Sequence, residues 1–235
     1  MKTRGVLFDL YGTLIVYGEM EQAWNAWCDV IHDAFCQQGL SMTAAEFRPY
    51  CSGFFDTPEP VDAIAGMTVV ERRLHRLAGD LRVKLPPDQA VQAIERALDV
   101  WHDYVSLDDE AADVLAEIGR TRAVALVSNF DYAPYVHRLL ARWELEPLFD
   151  SIVVSDAVGV KKPHPEIFKQ ALRELALNPT EVVHVGDSQE DIDGATGVGI
   201  RPVWIDRHRK DRWRAQPGVS VARIAGLAEL LPLLD

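Results

Sequence analysis

The sequence predicts an α/β protein with a doubly wound parallel sheet and an inserted all-helical domain. The first observation is a set of short, continuous apolar runs, which are typical of parallel strands buried on both faces. The second is the regular alternation of such runs with helical segments in the second part of the chain. The third is the lack of a convincing strand pattern between Tyr17 and about Val105.

The first apolar run, residues 5–8, predicts a central strand. A long helix is expected next, because apolar residues recur at three- and four-residue spacing from Trp24 to Phe35. Thr43 and Glu46 fit a capping box at the start of a second helix. Further helices are predicted, over residues 61–81 and from the Pro86-Pro87 pair to about Trp101.

These elements divide the chain into two expected parts. Residues 17–105 should form the separate helical domain, and residues 1–16 with 106–235 the α/β core. The charge-dense stretch 206–214 is interpreted as a solvated loop. The remaining core elements are predicted as strands 123–127, 151–154, 182–185 and 202–205, and as helices over about 133–143, 165–175, 191–198 and 224–233.

Charge and composition exclude several classes of partner. The 235-residue chain has a net charge of −12, which argues against nucleic acid or an anionic membrane as the main partner but not against a small anionic substrate. No apolar run is long enough to span a bilayer, and the first strand begins too early for a signal peptide. Three cysteines are typical of reduced thiols. We therefore expect a cytoplasmic protein, as a monomer or homodimer.

Polar residues follow four of the predicted strands, at the points where buried backbone gives way to loops. Asp9 follows the first strand, Ser128 the second and Lys162 the third, and the fourth leads into Asp187 and Asp191. Ligands of open α/β sheets bind at the carboxyl ends of the strands. The sequence therefore predicts that these residues converge on one site.

In this order the residues resemble the motifs of the haloacid dehalogenase-like hydrolase superfamily. The segment 9–13, Asp-Leu-Tyr-Gly-Thr, matches its first motif, Ser128 its second, Lys162 its third, and Gly186-Asp187 with Asp191 its fourth. The resemblance covers nearly the whole chain and implies a Rossmann-like core with a helical cap inserted after the first motif. It also implies a hydrolase that acts through a covalent intermediate.

Asp9 is the nucleophile that this resemblance implies, since a carboxylate is ionised at neutral pH without assistance. Gly12 allows the tight turn that follows it, and Thr13 can donate hydrogen bonds to an incoming anion. We place both Gly12 and Tyr11 among the substrate-contacting residues.

Lys162 supplies the positive charge that lets an anion approach, and it is preferred to Lys161 because the family places the amine directly before proline. Lys161 is expected to be solvated at the surface. Ser128 can donate to a substrate oxygen, and Asn129 either does the same or forms an Asx turn.

The acidic residues predict a Mg²⁺ site, because neighbouring carboxylates repel one another unless a cation lies among them. By resemblance, the ligands are the Asp9 side chain, the Tyr11 carbonyl and Asp187. Asp191 is expected either to bind the metal directly or to hold a metal-bound water.

Tyr11 is the one departure from the commonest phosphatase motif, which carries an aspartate here as general acid and base. A tyrosine is a poor base at neutral pH. Two enzymatic interpretations follow. A Mg²⁺-dependent phosphatase of small phosphorylated metabolites is favoured by Asp187, whereas the metal-independent 2-haloacid dehalogenases carry tyrosine at this position and Ser-Asn after the second strand. In the dehalogenase interpretation Asp9 displaces halide, which needs no proton to leave. A binding module without turnover is disfavoured by the joint presence of Asp9, Lys162 and Asp187.

Overall fold

A computed structural model describes residues 2–60, 66–207 and 221–235 of the chain. Within these residues the predicted strands are present, and three further short strands were not predicted. The strands are β1 (Gly5–Phe8), β2 (Ile15–Tyr17), β3 (Val105–Leu107), β4 (Ala123–Ser128), β5 (Ser151–Val154), β6 (Val182–Gly186), β7 (Arg201–Ile205) and β8 (Ala222–Ile224).

Six of these strands form one parallel sheet in the order β5-β4-β1-β6-β7-β8. From β1 the chain adds strands first on one side and then on the other, so the order reverses at β1. Phe8 at the end of β1 pairs with Leu126 of β4 and Val185 of β6. The carboxyl ends of the three central strands therefore lie side by side, and the predicted doubly wound fold is confirmed.

Helices follow most of the core strands and cover the sheet. Ile167 and Phe168 of one helix are fully buried, in a core cluster that includes Leu7, Ala125 and Val127 from the strands. Burial of such apolar faces is the main term that stabilises layered α/β folds. The helices outside the helical unit are α5 (Ala111–Gly119), α6 (Ala133–Arg142), α7 (Ser155–Val158), α8 (Pro165–Leu175) and α9 (Gln189–Val198).

The chain divides into two compact units, residues 1–16 with 107–235 and residues 17–106. The second unit contains α1 (Met20–Gln37), α2 (Ala44–Cys51), α3 (Val69–Asp80) and α4 (Pro87–His102). Its interior includes the predicted face of α1, where Trp27, Ile31 and Phe35 are buried. The capping box at Thr43 is present, and Thr68 forms a second one that was not predicted.

Several boundaries differ from the sequence prediction. The helix expected over 61–81 begins at Val69, and its predicted start at 61–65 lies outside the described residues. Strands β2 and β3 pair with each other at the borders of the helical unit. The predicted final helix was wrong at its start, because Ile224 ends strand β8 and only Leu227–Leu233 is helical, as 3₁₀ turns. None of the described helices is both long and apolar enough to cross a membrane.

Candidate active site

Asp9 lies directly after β1, and its backbone N–H donates to the carbonyl of Val185 on the neighbouring strand (2.9 Å). The side chain is only 9% exposed. Thr13 donates from Oγ1 to Asp9 Oδ2 over 3.4 Å. The loop from Asp9 to Thr13 therefore returns to its own first residue, so the Thr13 hydroxyl is close to the predicted nucleophile.

Gly12 makes this return possible. Its φ of +89° lies in the left-handed region that favours glycine. A Cβ at this position would lie 2.1 Å from Oδ2 of Asp187. The glycine therefore lets the first motif loop approach the carboxylate that follows β6, which brings two distant motifs into one cluster.

Lys162 is the centre of that cluster. Its side chain is buried, and Nζ donates to Asp9 Oδ1 over 2.5 Å and to Asp191 Oδ1 over 2.7 Å. Burial by itself lowers the pKa of the ammonium, but the carboxylates of Asp191 and Asp9 outweigh it and raise the pKa above its ordinary value. Lys162 is therefore a fixed positive charge in this site.

The loop that carries Lys162 is held by Asn129. Its Oδ1 accepts from the backbone N–H of Lys162 (2.7 Å), and its Nδ2 donates to the carbonyl of Lys162 (3.1 Å) and to Glu190 Oε2 (2.9 Å). Both amide N–H groups of Asn129 are therefore engaged within the protein. These contacts give Asn129 a positioning role for the Lys162 loop, and its contact with substrate stays a prediction.

Lys161 contradicts the expectation of a solvated side chain. Its ammonium pairs with Asp131 over 2.5 Å, and it is about one-third exposed. The carboxylate of Asp131 is nearly buried. The two successive lysines therefore bind different acids, and only Lys162 contacts Asp9.

Asp191 is fully buried and accepts four hydrogen bonds. Oδ1 accepts from Lys162 Nζ (2.7 Å) and His184 Nε2 (2.8 Å), and Oδ2 accepts from the Ser188 N–H (3.1 Å) and hydroxyl (2.6 Å). Burial alone raises the pKa of this carboxyl, but Lys162 and His184 outweigh it and hold the pKa well below its usual range. Asp191 is therefore an ionised anchor whose acceptor sites are filled by the protein.

Ser128 lies at the end of β4 and is also buried. Its Oγ has no hydrogen-bond partner among the described residues. Buried hydroxyls are nearly always paired, and an unpaired one costs about 1–3 kcal/mol. The hydroxyl of Ser128 can therefore donate to a bound ligand, and its contact with substrate stays a prediction.

The acidic side chains form a group that fits a hard divalent cation. One carboxylate oxygen from each of Asp9, Asp187 and Asp191 lies within 4.8 Å of the other two. Among these acids, Lys162 pairs with Asp9 and Asp191. Burial raises the pKa of Asp9 to about 7, Lys162 opposes this rise, and the charges of Asp191 and Asp187 add to it. A cation among the three carboxylates would reduce their mutual repulsion, and oxygen ligands are those that Mg²⁺ prefers.

Tyr11 stacks on Phe130, with ring centroids 5.2 Å apart and planes inclined by 17°. Both rings are partly exposed. The two residues follow β1 and β4, so this aromatic pair joins the loop that carries Asp9 to the loop that begins after Ser128. The sequence singled out Tyr11 but gave no signal for Phe130.

Three residues near the cluster were missed by sequence reasoning. His184 was counted only as a strand residue, and Glu190, which accepts from Asn129, was counted only as a residue between two acids. Arg207 was assigned to a solvated loop; its side chain is only 17% exposed, pairs with Asp108 (2.6 Å) and donates to the Thr13 carbonyl (2.7 Å). The rest of that charged stretch, 208–214, lies outside the described residues. No spacing in the sequence links Arg207 to Thr13.

Comparison with known families gives one match over most of the chain. A family model described as haloacid dehalogenase-like hydrolase matches residues 3–199. That range includes every predicted site residue. The sequence prediction of the family is therefore confirmed.

Several relatives carry phosphatase names. The chain is 47% identical over 67 residues to glyceraldehyde 3-phosphate phosphatase of Pyrococcus furiosus, a match that covers 28% of this chain and 28% of that protein. It is 31% identical over 180 residues to phosphoglycolate phosphatase of Pectobacterium atrosepticum, covering 72% of this chain and 73% of that protein. The first match therefore spans less than a third of that relative's length.

Two solved structures share the fold along nearly their whole length. A HAD phosphatase from Thermococcus onnurineus has a TM-score of 0.70 at 24% identity, covering 100% of this chain and 98% of that chain. A 2-haloacid dehalogenase from Pseudomonas syringae pv. Tomato DC3000 has a TM-score of 0.68 at 22% identity, covering 99% of this chain and 97% of that chain. Such identities show the fold alone, so the reaction must be argued from the site.

Proposed function

The chain belongs to the haloacid dehalogenase-like hydrolases, and we propose that it is a Mg²⁺-dependent phosphatase that acts on a small phosphorylated metabolite. The observation that carries this proposal is the grouping of Asp187 with Asp9 and Asp191, whose carboxylate oxygens lie within 4.8 Å of one another. A third carboxylate beside an anionic substrate is unfavourable unless a cation balances it. The phosphatase names of the relatives support the same reaction class.

In the proposed reaction the Asp9 carboxylate attacks phosphorus, and the bond from phosphorus to the leaving oxygen breaks. The product of this step is an aspartyl-phosphate, which water then hydrolyses to free phosphate and the Asp9 carboxylate. Lys162, the Ser128 hydroxyl and the Thr13 hydroxyl are proposed to donate to the phosphoryl oxygens; Lys162 and Thr13 both contact Asp9, and Ser128 Oγ has no partner among the described residues. Preorganised donors of this kind stabilise the charge of the transferring group.

Asp9, Asp187 and the Tyr11 carbonyl are the proposed ligands of Mg²⁺, which would neutralise charge on the phosphoryl group when bound. Asp191 is proposed to act from outside this ligand set, because its four acceptor positions are already filled. Ionisation of Asp9 is favoured by the same cation. The Asp9 carboxylate would therefore be ionised most fully when Mg²⁺ is bound.

Leaving-group protonation distinguishes this site from the commonest phosphatase motif. Tyr11 takes the position of the usual acid, and its ring stacks on Phe130. We propose that the enzyme prefers substrates whose leaving group needs little protonation, such as acyl or aryl phosphates. The helical residues 17–105 are proposed as the cap that contributes to substrate choice.

The proposed physiological setting follows from composition. A small anionic substrate is compatible with the net charge of −12, and nucleic acid or a membrane surface is not expected as a partner. The three cysteines are free, which supports a reducing, cytoplasmic compartment. The proposal includes either a monomer or a homodimer.

A second candidate is a 2-haloacid dehalogenase without metal. Tyr11 and the Ser128-Asn129 pair favour it, since both match that branch, and halide leaves without a proton. Asp187 disfavours it, because this carboxylate adds negative charge beside an anionic substrate. Phosphatase activity is therefore the first proposal.

One assay separates these candidates. Purified full-length protein is incubated with an aryl phosphate, with acetyl phosphate and with 2-chloropropionate, each in Mg²⁺ and in chelator. Release of phosphate only in Mg²⁺ supports the phosphatase. Release of chloride that is equal in Mg²⁺ and chelator supports the dehalogenase and contradicts the first proposal.

A further inference from the structure

His184 is a buried, polar residue directly beneath the proposed active site. It lies on β6, where it pairs with Leu7 of β1 and Pro202 of β7, and it has no solvent-exposed surface. The edge of its ring meets Phe168 of α8 in a T-shaped contact, with centroids 5.1 Å apart. Apolar residues fill most of this layer, and a buried histidine costs free energy unless it has a hydrogen-bond partner.

The hydrogen-bond partner of His184 is Asp191. His184 Nε2 lies 2.8 Å from Asp191 Oδ1, the same oxygen that accepts from Lys162 Nζ. His184 and Gly186 lie two positions apart on one strand, so they face the same side of the sheet. Because a Cβ on Gly186 would lie 2.4 Å from Cβ of Asp191, only glycine lets Asp191 come down to the histidine.

The hydrogen-bond pattern fixes which nitrogen carries the proton. Nδ1 of His184 is buried and has no hydrogen-bond partner among the described residues. Asp191 is an acceptor, so Nε2 must donate. A proton on Nδ1 would leave a buried donor unpaired, which costs free energy. A proton on Nε2 satisfies these contacts best.

We propose that His184 is a positioning residue that holds Asp191, and through it the ammonium of Lys162, in line with Asp9. This inference rests on the proposed function, in which Lys162 assists the attack of Asp9 on phosphorus. The same arrangement would hold Lys162 beside Asp9 in the dehalogenase reaction. His184 donates from below, Ser188 donates to the other carboxylate oxygen, and Lys162 binds the side facing Asp9. Without His184, Asp191 Oδ1 loses the only hydrogen bond that it accepts from a strand residue among the described residues.

Two substitutions separate hydrogen bonding from packing. His184→Phe keeps a planar ring against Phe168 but removes the donor. His184→Gln keeps a donor close to the position of Nε2. Loss of a residue that orients a functional group typically costs about 10- to 100-fold in activity or affinity. We expect kcat to fall by this amount in His184→Phe with little change in KM, and to recover most of the loss in His184→Gln.

His102 offers a matched control, because it is also a buried histidine whose ring bonds within its own helix, at Leu98 O (2.6 Å), in the helical unit. We expect His102→Phe to have nearly the same kcat as the parent. Melting temperatures of all variants show whether a loss of rate follows a loss of fold. If His184→Phe and His102→Phe lower kcat equally, or His184→Gln rescues nothing while remaining folded, the proposal is wrong.

An NMR measurement that does not depend on enzyme activity tests the same arrangement. In full-length protein labelled with ¹⁵N-histidine, the His184 signal is identified by its disappearance in His184→Gln. We expect a protonated Nε2 and an unprotonated Nδ1. A ring protonated only on Nδ1 overturns the inference whether or not phosphate esters are turned over. If the parent hydrolyses only 2-chloropropionate, the phosphatase proposal fails, and the same variant series on that substrate still decides the role of His184.

Discussion

Lys162 Nζ and Asp9 Oδ1 lie 2.5 Å apart, although 153 positions separate the two residues in the chain. The sheet explains this contact, because Asp9 follows central strand β1 and the loop of Lys162 is held by Asn129 at the end of the adjacent strand β4. The pair combines the proposed nucleophile with a buried cation. Four predictions follow from this relationship and the acids around it.

Asp9→Asn should abolish turnover and leave the fold intact. Asparagine has nearly the same shape as aspartate but is not a nucleophile, and it removes one charge from a group of three carboxylates. Stability should hold or rise, since like charges at short range cost free energy. Steady-state assays and thermal melts test this, with the exposed Asp193→Asn as control. Activity within tenfold of the parent would exclude Asp9 as nucleophile.

Mg²⁺ should stabilise the metal-free protein. Binding to the native state raises stability with ligand concentration, by about 2.7 kcal/mol at one hundred times Kd. Asp187→Ala should remove most of the rise in melting temperature, whereas Asp193→Ala should keep it, because Asp193 lies on α9, two residues after Asp191, but outside the carboxylate group. Thermal melts over a Mg²⁺ titration measure both. Full activity in chelator, with no thermal response to Mg²⁺, would favour the dehalogenase.

The stability of the metal-free protein should depend on the protonation of Asp9. Its pKa is raised from an ordinary value of 3.8 to about 7, first by burial. Folding therefore favours the protonated form, so this group's contribution is fully present below about pH 4 and is lost as pH rises through 7. The free energy of unfolding of the parent relative to Asp9→Asn should decline across this window. Each pKa unit corresponds to about 1.4 kcal/mol.

Denaturant unfolding of both proteins between pH 4 and 8 gives this difference directly. Saturating Mg²⁺ should flatten it, because a cation favours the ionised carboxylate. A difference that instead grows with pH would mean that Asp9 ionises easily in the native protein. In that case the carboxylates need no additional cation, and the argument for metal would lose its electrostatic basis.

Tyr11 should make the rate depend steeply on the leaving group. Aryl and acyl phosphates should turn over much faster than alkyl phosphates, because no aspartate is present at this position to protonate the leaving oxygen. Tyr11→Asp should reduce the dependence by restoring a donor, and general acids typically contribute a factor of about a hundred or more. The measurement is the slope of log kcat/KM against leaving-group pKa.

The slope is preferred to a single rate, since Tyr11→Asp also adds charge and removes the stacking contact with Phe130. Losses of binding common to all substrates cancel from the slope. Phe130→Leu is the matched control, because it removes the stack without adding an acid. A shallow slope in the parent protein would mean that another residue already supplies the proton.

The sequence by itself determined the elements that local chemistry specifies. Continuous apolar runs identified β1, β4, β5, β6 and β7, and the helical spacing from Trp24 to Phe35 identified the buried face of α1. It also singled out Asp9, Lys162, Asp187 and Asp191 as residues that follow strands, although in the structure α7 stands between β5 and Lys162, and Asp191 lies on α9. Short strands such as β8 escaped prediction, because three residues provide too little periodicity to distinguish a strand from a helix.

Only the tertiary structure decided what each polar group contacts. Asn129 binds the main chain of Lys162, Lys161 pairs with Asp131, and Arg207 binds the Thr13 carbonyl. These partners are set by strand order and by the close approaches that glycines permit, and no local pattern encodes them. The same holds for His184, since its apolar neighbours in sequence make it look like one more buried strand residue. His184 contacts Asp191 because Gly186 has no side chain, whereas a Cβ at this position would collide with Asp191.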